Sequence, residues 1–115
     1  MDKKVNDKLG EVRIADEVIA AIAGLAATEA KGVASLAGGI VHDQITYSKS
    51  RSLSRCVRVS VDDNEVAVKL ALILDGSVPV PEVSEDAGDR VRNAVESMTG
   101  LTVSDIKITI AGVAV

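Results

Sequence analysis

A chain of 115 residues with 17 acidic and 13 basic side chains, a net charge of -4 and one cysteine has the length of a single domain. Without tryptophan or phenylalanine, and with Tyr47 as its one aromatic residue, it has little with which to stack on bases or sugars, and its core must be built from Val, Ile, Leu and Ala. The acidic balance disfavours general nucleic-acid affinity, which rests on Lys and Arg at phosphates, and the single Cys56 excludes an internal disulfide and a cysteine-based metal cluster.

Residues 1–10 are charged and polar, read as a flexible N-terminal arm, and have no apolar stretch of a secretory signal, so the protein is expected to stay in the cytoplasm. Residues 11–115 read as one domain. Residues 11–14 alternate polar and apolar as a short strand does. Asp16 and Glu17 then open a helix, where negative charge meets the positive end of the helix dipole. Residues 18–28 carry no charge at all, so this helix has no wet face and needs cover on more than one side. It is about half the roughly 20 apolar residues that cross a bilayer. The helix is expected to end near Lys31 and Gly32, and Gly38-Gly39 marks a second break.

Residues 41–55 have many hydroxyls and no sustained period, and read as a long loop. Val57, Val59 and Val61 alternate with Arg58, Ser60 and Asp62 as a strand with one buried face, and Asp62-Asp63-Asn64-Glu65 turns the chain back. Val66, Val68, Leu70, Leu72 and Leu74 define the returning strand, whose other face carries Ala67, Lys69, Ala71 and Ile73. A second helix starts at Pro81 and Glu82, buries a stripe of Val83, Ala87, Val91, Ala94, Val95 and Met98, and stops at Gly100. Gly88 sits inside it at a cost of about 1 kcal/mol relative to Ala. A last strand from about Val103 turns Ile106, Ile108 and Ile110 inward and Lys107 and Thr109 outward. The order β-α-β-β-α-β predicts an α/β (α+β) two-layer sandwich, one mixed sheet of three to four strands under two main helices, with the last strand parallel to a neighbour.

The inventory for catalysis is thin. His42 is the single histidine and stands beside Asp43, no Gly-x-Ser-x-Gly nucleophile elbow exists, and a solvated loop histidine is the better reading. Cys56 opens an apolar strand and reads as a small buried hydrophobe. The acidic turn at 62–65 lacks the central Gly and distant Glu of a calcium loop, and no glycine loop cradles a phosphate. No catalytic, cofactor-binding or metal residue is assigned. What stands out is charge asymmetry. Lys49, Arg51, Arg55 and Arg58 are positive without an intervening acid, whereas residues 82–96 hold five acids against two arginines. Such runs are most often solvated surface, but opposite patches can also meet between copies. The small side chains Ala20, Ala23, Gly24 and Ala27 keep one face of the first helix thin enough for close approach. The candidate interaction surface is therefore Ala20, Ala23, Gly24, Ala27, Lys49, Arg51, Arg55, Glu85 and Asp89.

Several blocks in order carry a resemblance: Ile14-Ala-Asp-Glu-Val-Ile-Ala-Ala-Ile-Ala-Gly-Leu-Ala-Ala-Thr-Glu29, Gly32-Val33, Gly38-Gly39, Asn64-Glu-Val-Ala-Val68, Val80-Pro-Glu-Val83 and Val91-Arg-Asn-Ala-Val-Glu-Ser-Met-Thr-Gly-Leu101. Over about Gly10 to Gly112 the chain resembles the alkaline shock protein family of envelope-stress-response proteins. The resemblance implies a non-enzymatic bacterial protein of Gram-positive lineages, cytosolic and concentrated beneath the membrane by a membrane-anchored partner. It also implies a role in envelope homeostasis, in some members through control of fatty-acid synthesis, and brings no catalytic residues. The Ser-Arg-rich loop after Gly39 is more basic than the family pattern. The expected function is an adaptor or scaffold that forms a homo-oligomer and binds a membrane-anchored protein, with no cofactor, small-molecule substrate or direct membrane insertion. The alternative is a small nucleic-acid-binding or regulatory module, for example of lipid synthesis.

Overall fold

The computed structural model describes residues 14–45 and 51–114, and in it the uncharged run forms helix α1 (Asp16–Thr28). The helix ends earlier than expected. Thr28 donates its hydroxyl hydrogen to the carbonyls of Gly24 and Leu25, and the chain turns through Glu29 to Gly32 before entering strand β1 (Val33–Leu36). Gly32, with φ +99°, shapes the start of that strand rather than the stop of the helix. A 3-10 turn (His42–Gln44) and helix α2 (Arg51–Cys56) follow, so part of the segment read as loop is helical. Leu53 and Cys56, three residues apart, share one buried face there, a signal too short to register as a period. The arm at 1–10 and residues 11–13 of the first expected strand lie outside the described residues, and Ile14 belongs to no strand.

Strand β2 (Val57–Asp62) turns through Asp63, at φ +57°, into β3 (Glu65–Asp75). Helix α3 (Val80–Thr99) then leads to β4 (Thr102–Ala114). The four strands make the expected mixed sheet with β3 at its centre. Parallel β4 lines one edge of β3 from Glu65↔Thr102 to Asp75↔Ala114. The other edge is shared by two antiparallel strands, β2 pairing with Glu65 to Leu70 and β1 with Leu72 to Leu74.

Both helices lie on one face of this sheet and against each other. The strand alternation explains why. Val66, Val68, Leu70, Leu72 and Leu74 are all buried under the helices, while Lys69 between them is exposed. From above, α1 contributes Ile19, Ile22, Ala23, Ala26 and Ala27, and α3 contributes Val83, Ala87, Val91 and Val95. The uncharged helix is therefore covered within the chain. A Cβ built on Gly24 would stand 3.3 Å from Leu36 and 3.4 Å from both Ile45 and Leu53, so β1, the segment after the 3-10 turn and α2 close over the side that the sheet leaves bare.

Met98 corrects the expected stripe. It has the right helical phase but is 58% exposed, because α3 has 20 residues against 13 in α1 and its last turn outruns its neighbour by roughly 10 Å at 1.5 Å per residue. Gly88, by contrast, faces open packing, and a Cβ there would sit 3.5 Å from Ile108, an ordinary contact. Gly88→Ala should raise stability by about 0.5–1 kcal/mol through lower unfolded-state entropy and better helix propensity, read as a higher urea midpoint.

Candidate functional site on the helix-free sheet face

The face of the sheet turned away from the helices carries the most unusual chemistry of the described residues. Because Val57 and Val59 point to the core, Arg58 points away. The same alternation turns Lys69 and Lys107 outward. The register then sets Arg58 opposite Lys69 and Lys69 opposite Lys107. Three cations thus form one row across three strands, its Cα atoms spanning roughly 10 Å at about 4.8 Å per strand spacing. All three are exposed, and none of them makes an ion pair among the described residues. Like charges directly opposite one another destabilise a sheet, so the row does nothing for the fold.

Its surroundings are small and largely neutral. Ala67, Ser60, Ala71, Thr109 and Ala111 share this face, with half-buried Ile73 further along β3. Acids flank the row at a distance, Asp62, Glu65 and Asp105 toward the hairpin end and exposed Asp75 at the far end of β3, all on the same face. Asp105 is two residues from Lys107, about 7 Å along the strand.

On the other side of the molecule, α3 sorts its charges into used and unused. Arg90 pairs with Asp86 at 3.0 Å. Arg92 donates to the Val103 carbonyl at 2.9 Å, and Glu96 accepts from the Val103 amide at 2.9 Å, which together cap the outer edge of β4 where it starts. Glu82, Glu85 and Asp89 are left exposed and, among the described residues, without an ion pair.

The residues singled out in the sequence are therefore placed very differently. Ala20, Ala23, Gly24 and Ala27 are buried in the chain's own core, and the helix face expected to meet a partner is already occupied. Lys49 lies outside the described residues. Arg51 is the first residue of α2, and Arg55 is exposed in the same helix, outside the cation row. Glu85 and Asp89 are exposed on α3 as expected, joined by Glu82. Lys69 and Lys107 went unnoticed as site residues. Their outward phase was legible, but only the cross-strand register brings them beside Arg58.

Elsewhere His42 and Cys56 are engaged in local contacts. His42 lies 3.8 Å from Glu29 and 3.6 Å from Asp43, part-exposed at the end of α1. Burial pushes the Cys56 thiol above its ordinary pKa, and its Sγ donates to the Leu53 carbonyl at 3.4 Å, so it stays a protonated, poorly nucleophilic packing group. Among the described residues no set of His, Cys, Asp and Glu is gathered to hold a metal, and no helix is long and apolar enough to cross a membrane.

Comparison with known proteins agrees with the fold. Residues 4–115 match the profile of the alkaline shock protein 23 family, described as having a cell envelope-related function. YqhY of Bacillus subtilis, itself uncharacterised, is 30% identical over 105 residues, covering 91% of this chain and 78% of YqhY. YloU of the same organism, likewise uncharacterised, is 27% identical over 117 residues, covering 100% of this chain and 98% of YloU. Among solved structures, a triply substituted MamM CTD superposes with a TM-score of 0.52 over 84% of this chain and 93% of its own, at 14% identity, which speaks to shared fold alone. With nearly its whole length matched, the chain belongs to the alkaline shock protein 23 family of cell envelope-related proteins.

Proposed function

We propose that this protein is a non-enzymatic adaptor of the bacterial cell envelope, working in the cytoplasm close to the membrane by self-association and by docking on a membrane-anchored partner. The observation that carries the reading is the row Arg58, Lys69 and Lys107 on the helix-free sheet face. In a chain of net charge -4 it is a local inversion of sign. Its mutual repulsion is relieved when an anionic protein surface covers it, and complementarity of this kind selects a partner more than it adds raw affinity. The small side chains around the row let another backbone come close. Family membership supports the envelope setting.

The test uses the full chain with Arg58→Gln, Lys69→Gln and Lys107→Gln together. Wild type is expected to grow in mass with concentration by light scattering, and a fluorescent fusion to collect at the cell periphery. The triple variant, with unchanged circular dichroism, should remain monomeric and spread through the cell. A wild type that stays monomeric up to about 100 μM, some hundredfold above a micromolar contact, contradicts the reading. The same cations also suit a phosphate backbone. A shift of generic RNA at micromolar protein that is lost both in the triple variant and on adding salt would favour the nucleic-acid module instead.

A further inference from the structure

We infer that the anionic surface seated on the cation row is helix α3 of a second copy of this chain, so that copies stack head to tail. The inference rests on the sheet face being the contact surface, as proposed above, and names its occupant. Among the α3 acids, Asp86 is held by Arg90 and Glu96 by the Val103 amide, which leaves Glu82, Glu85 and Asp89 without an ion pair among the described residues. Their spacing of three and four residues puts them on one stripe of the helix, opposite the buried stripe of Val83, Ala87, Val91 and Val95. Glu82 and Asp89 are seven residues apart, a rise of about 10.5 Å at 1.5 Å per residue. Arg58, Lys69 and Lys107 span roughly 10 Å at about 4.8 Å per strand. Three free acids and three free bases thus present themselves at the same pitch, and a helix crossing the strands can match them one to one.

Topology makes the contact intermolecular. α3 covers one face of the sheet and the row lies on the other, so no chain can join its own two surfaces. Each copy then offers both halves of the contact at opposite faces. That is a heterologous interface, which grows into rings or open filaments instead of stopping at a symmetric dimer. Its source is charge on exposed surfaces, so it must weaken as salt shortens the Debye length from about 10 Å at 0.1 M to about 3 Å at 1 M.

The experiment is a charge exchange in the full chain, read by sedimentation and light scattering at low salt. One variant reverses the face (Arg58→Glu, Lys69→Glu, Lys107→Glu), and another reverses the helix (Glu82→Lys, Glu85→Lys, Asp89→Lys). Each alone should weaken self-association by about tenfold or more. Mixed, the two should assemble again in equal proportion, and a chain carrying both reversals should recover growth that salt abolishes. If the helix variant assembles as wild type does while the face variant does not, the sheet face remains a contact surface and α3 is not its occupant. If neither variant changes assembly, or wild type stays monomeric, both readings fall. Should a reversed variant lose its circular dichroism signal, the glutamine and asparagine versions of the same positions replace it, with self-association again expected to weaken.

Discussion

Leu72→Ala is expected to remove about 2–5 kcal/mol of stability, the range for emptying a large aliphatic site in a packed core. Leu72 is 0% exposed on the central strand under the helices, opposite Leu36 of β1 on one side and Ile110 of β4 on the other. Two properties push the cost upward. The core holds no phenylalanine or tryptophan that could swing into the void, and its Val and Ile neighbours are stiff at χ1 and relax little. For a domain whose total stability is of the order of 5–15 kcal/mol, the loss is at least about an eighth of the whole and can approach all of it. Urea denaturation followed by circular dichroism reads it directly. A loss below about 1 kcal/mol would show that the site collapses freely and that this point is not the keystone of the core.

The second large effect is at Gly32, for which Gly32→Ala should cost about 2–4 kcal/mol from backbone strain and steric overlap combined. At φ +99° an L side chain is strained whatever the space around it, and a Cβ would meet Val83 Cγ2 at 2.9 Å. The position also holds a long-range backbone bond, with the Asp75 amide donating to the Gly32 carbonyl at 2.8 Å, so shifting the turn pulls on the end of β3. The two causes separate in a double-mutant cycle. In a Val83→Ala background the clash is gone and the strain remains, so Gly32→Ala should cost less there by about 1 kcal/mol or more. Equal costs in both backgrounds would assign the whole effect to φ.

Much of this architecture was written in short-range pattern. The alternation of Val66 to Leu74 gave β3 its buried face, the Asp-Asp-Asn-Glu turn gave the hairpin, and Pro81 and Gly100 bracketed α3 to within a residue at its ends. What escaped depends on distance in sequence. β1 is four residues long with too few positions to show a period, and it exists because Val33 to Leu36 finds the unpaired half of β3 left by the shorter β2. The cover of α1 likewise needs Leu36, Ile45 and Leu53 from three separate segments. This is why the thin stripe of Ala20, Ala23, Gly24 and Ala27 looked like a surface for a partner when it serves the chain's own packing. In the proposed contact, the exposed positions of Glu85 and Asp89 were legible from helical phase, whereas the row of Arg58, Lys69 and Lys107 is a property of register between three strands. No local pattern encodes that register.

The central claim is that this row is covered when the protein assembles, and lysine footprinting tests it most directly. Brief acetylation of the full chain at rising concentration, followed by peptide mass spectrometry, reports each amine separately. Lys69 and Lys107 should lose reactivity as assembly proceeds, by about tenfold across the transition, and regain it in 1 M salt. Lys31, exposed beyond the end of α1 and away from the row, is the internal control and should stay constant. Lys69 and Lys107 remaining as reactive as Lys31 in assembled protein would contradict the account.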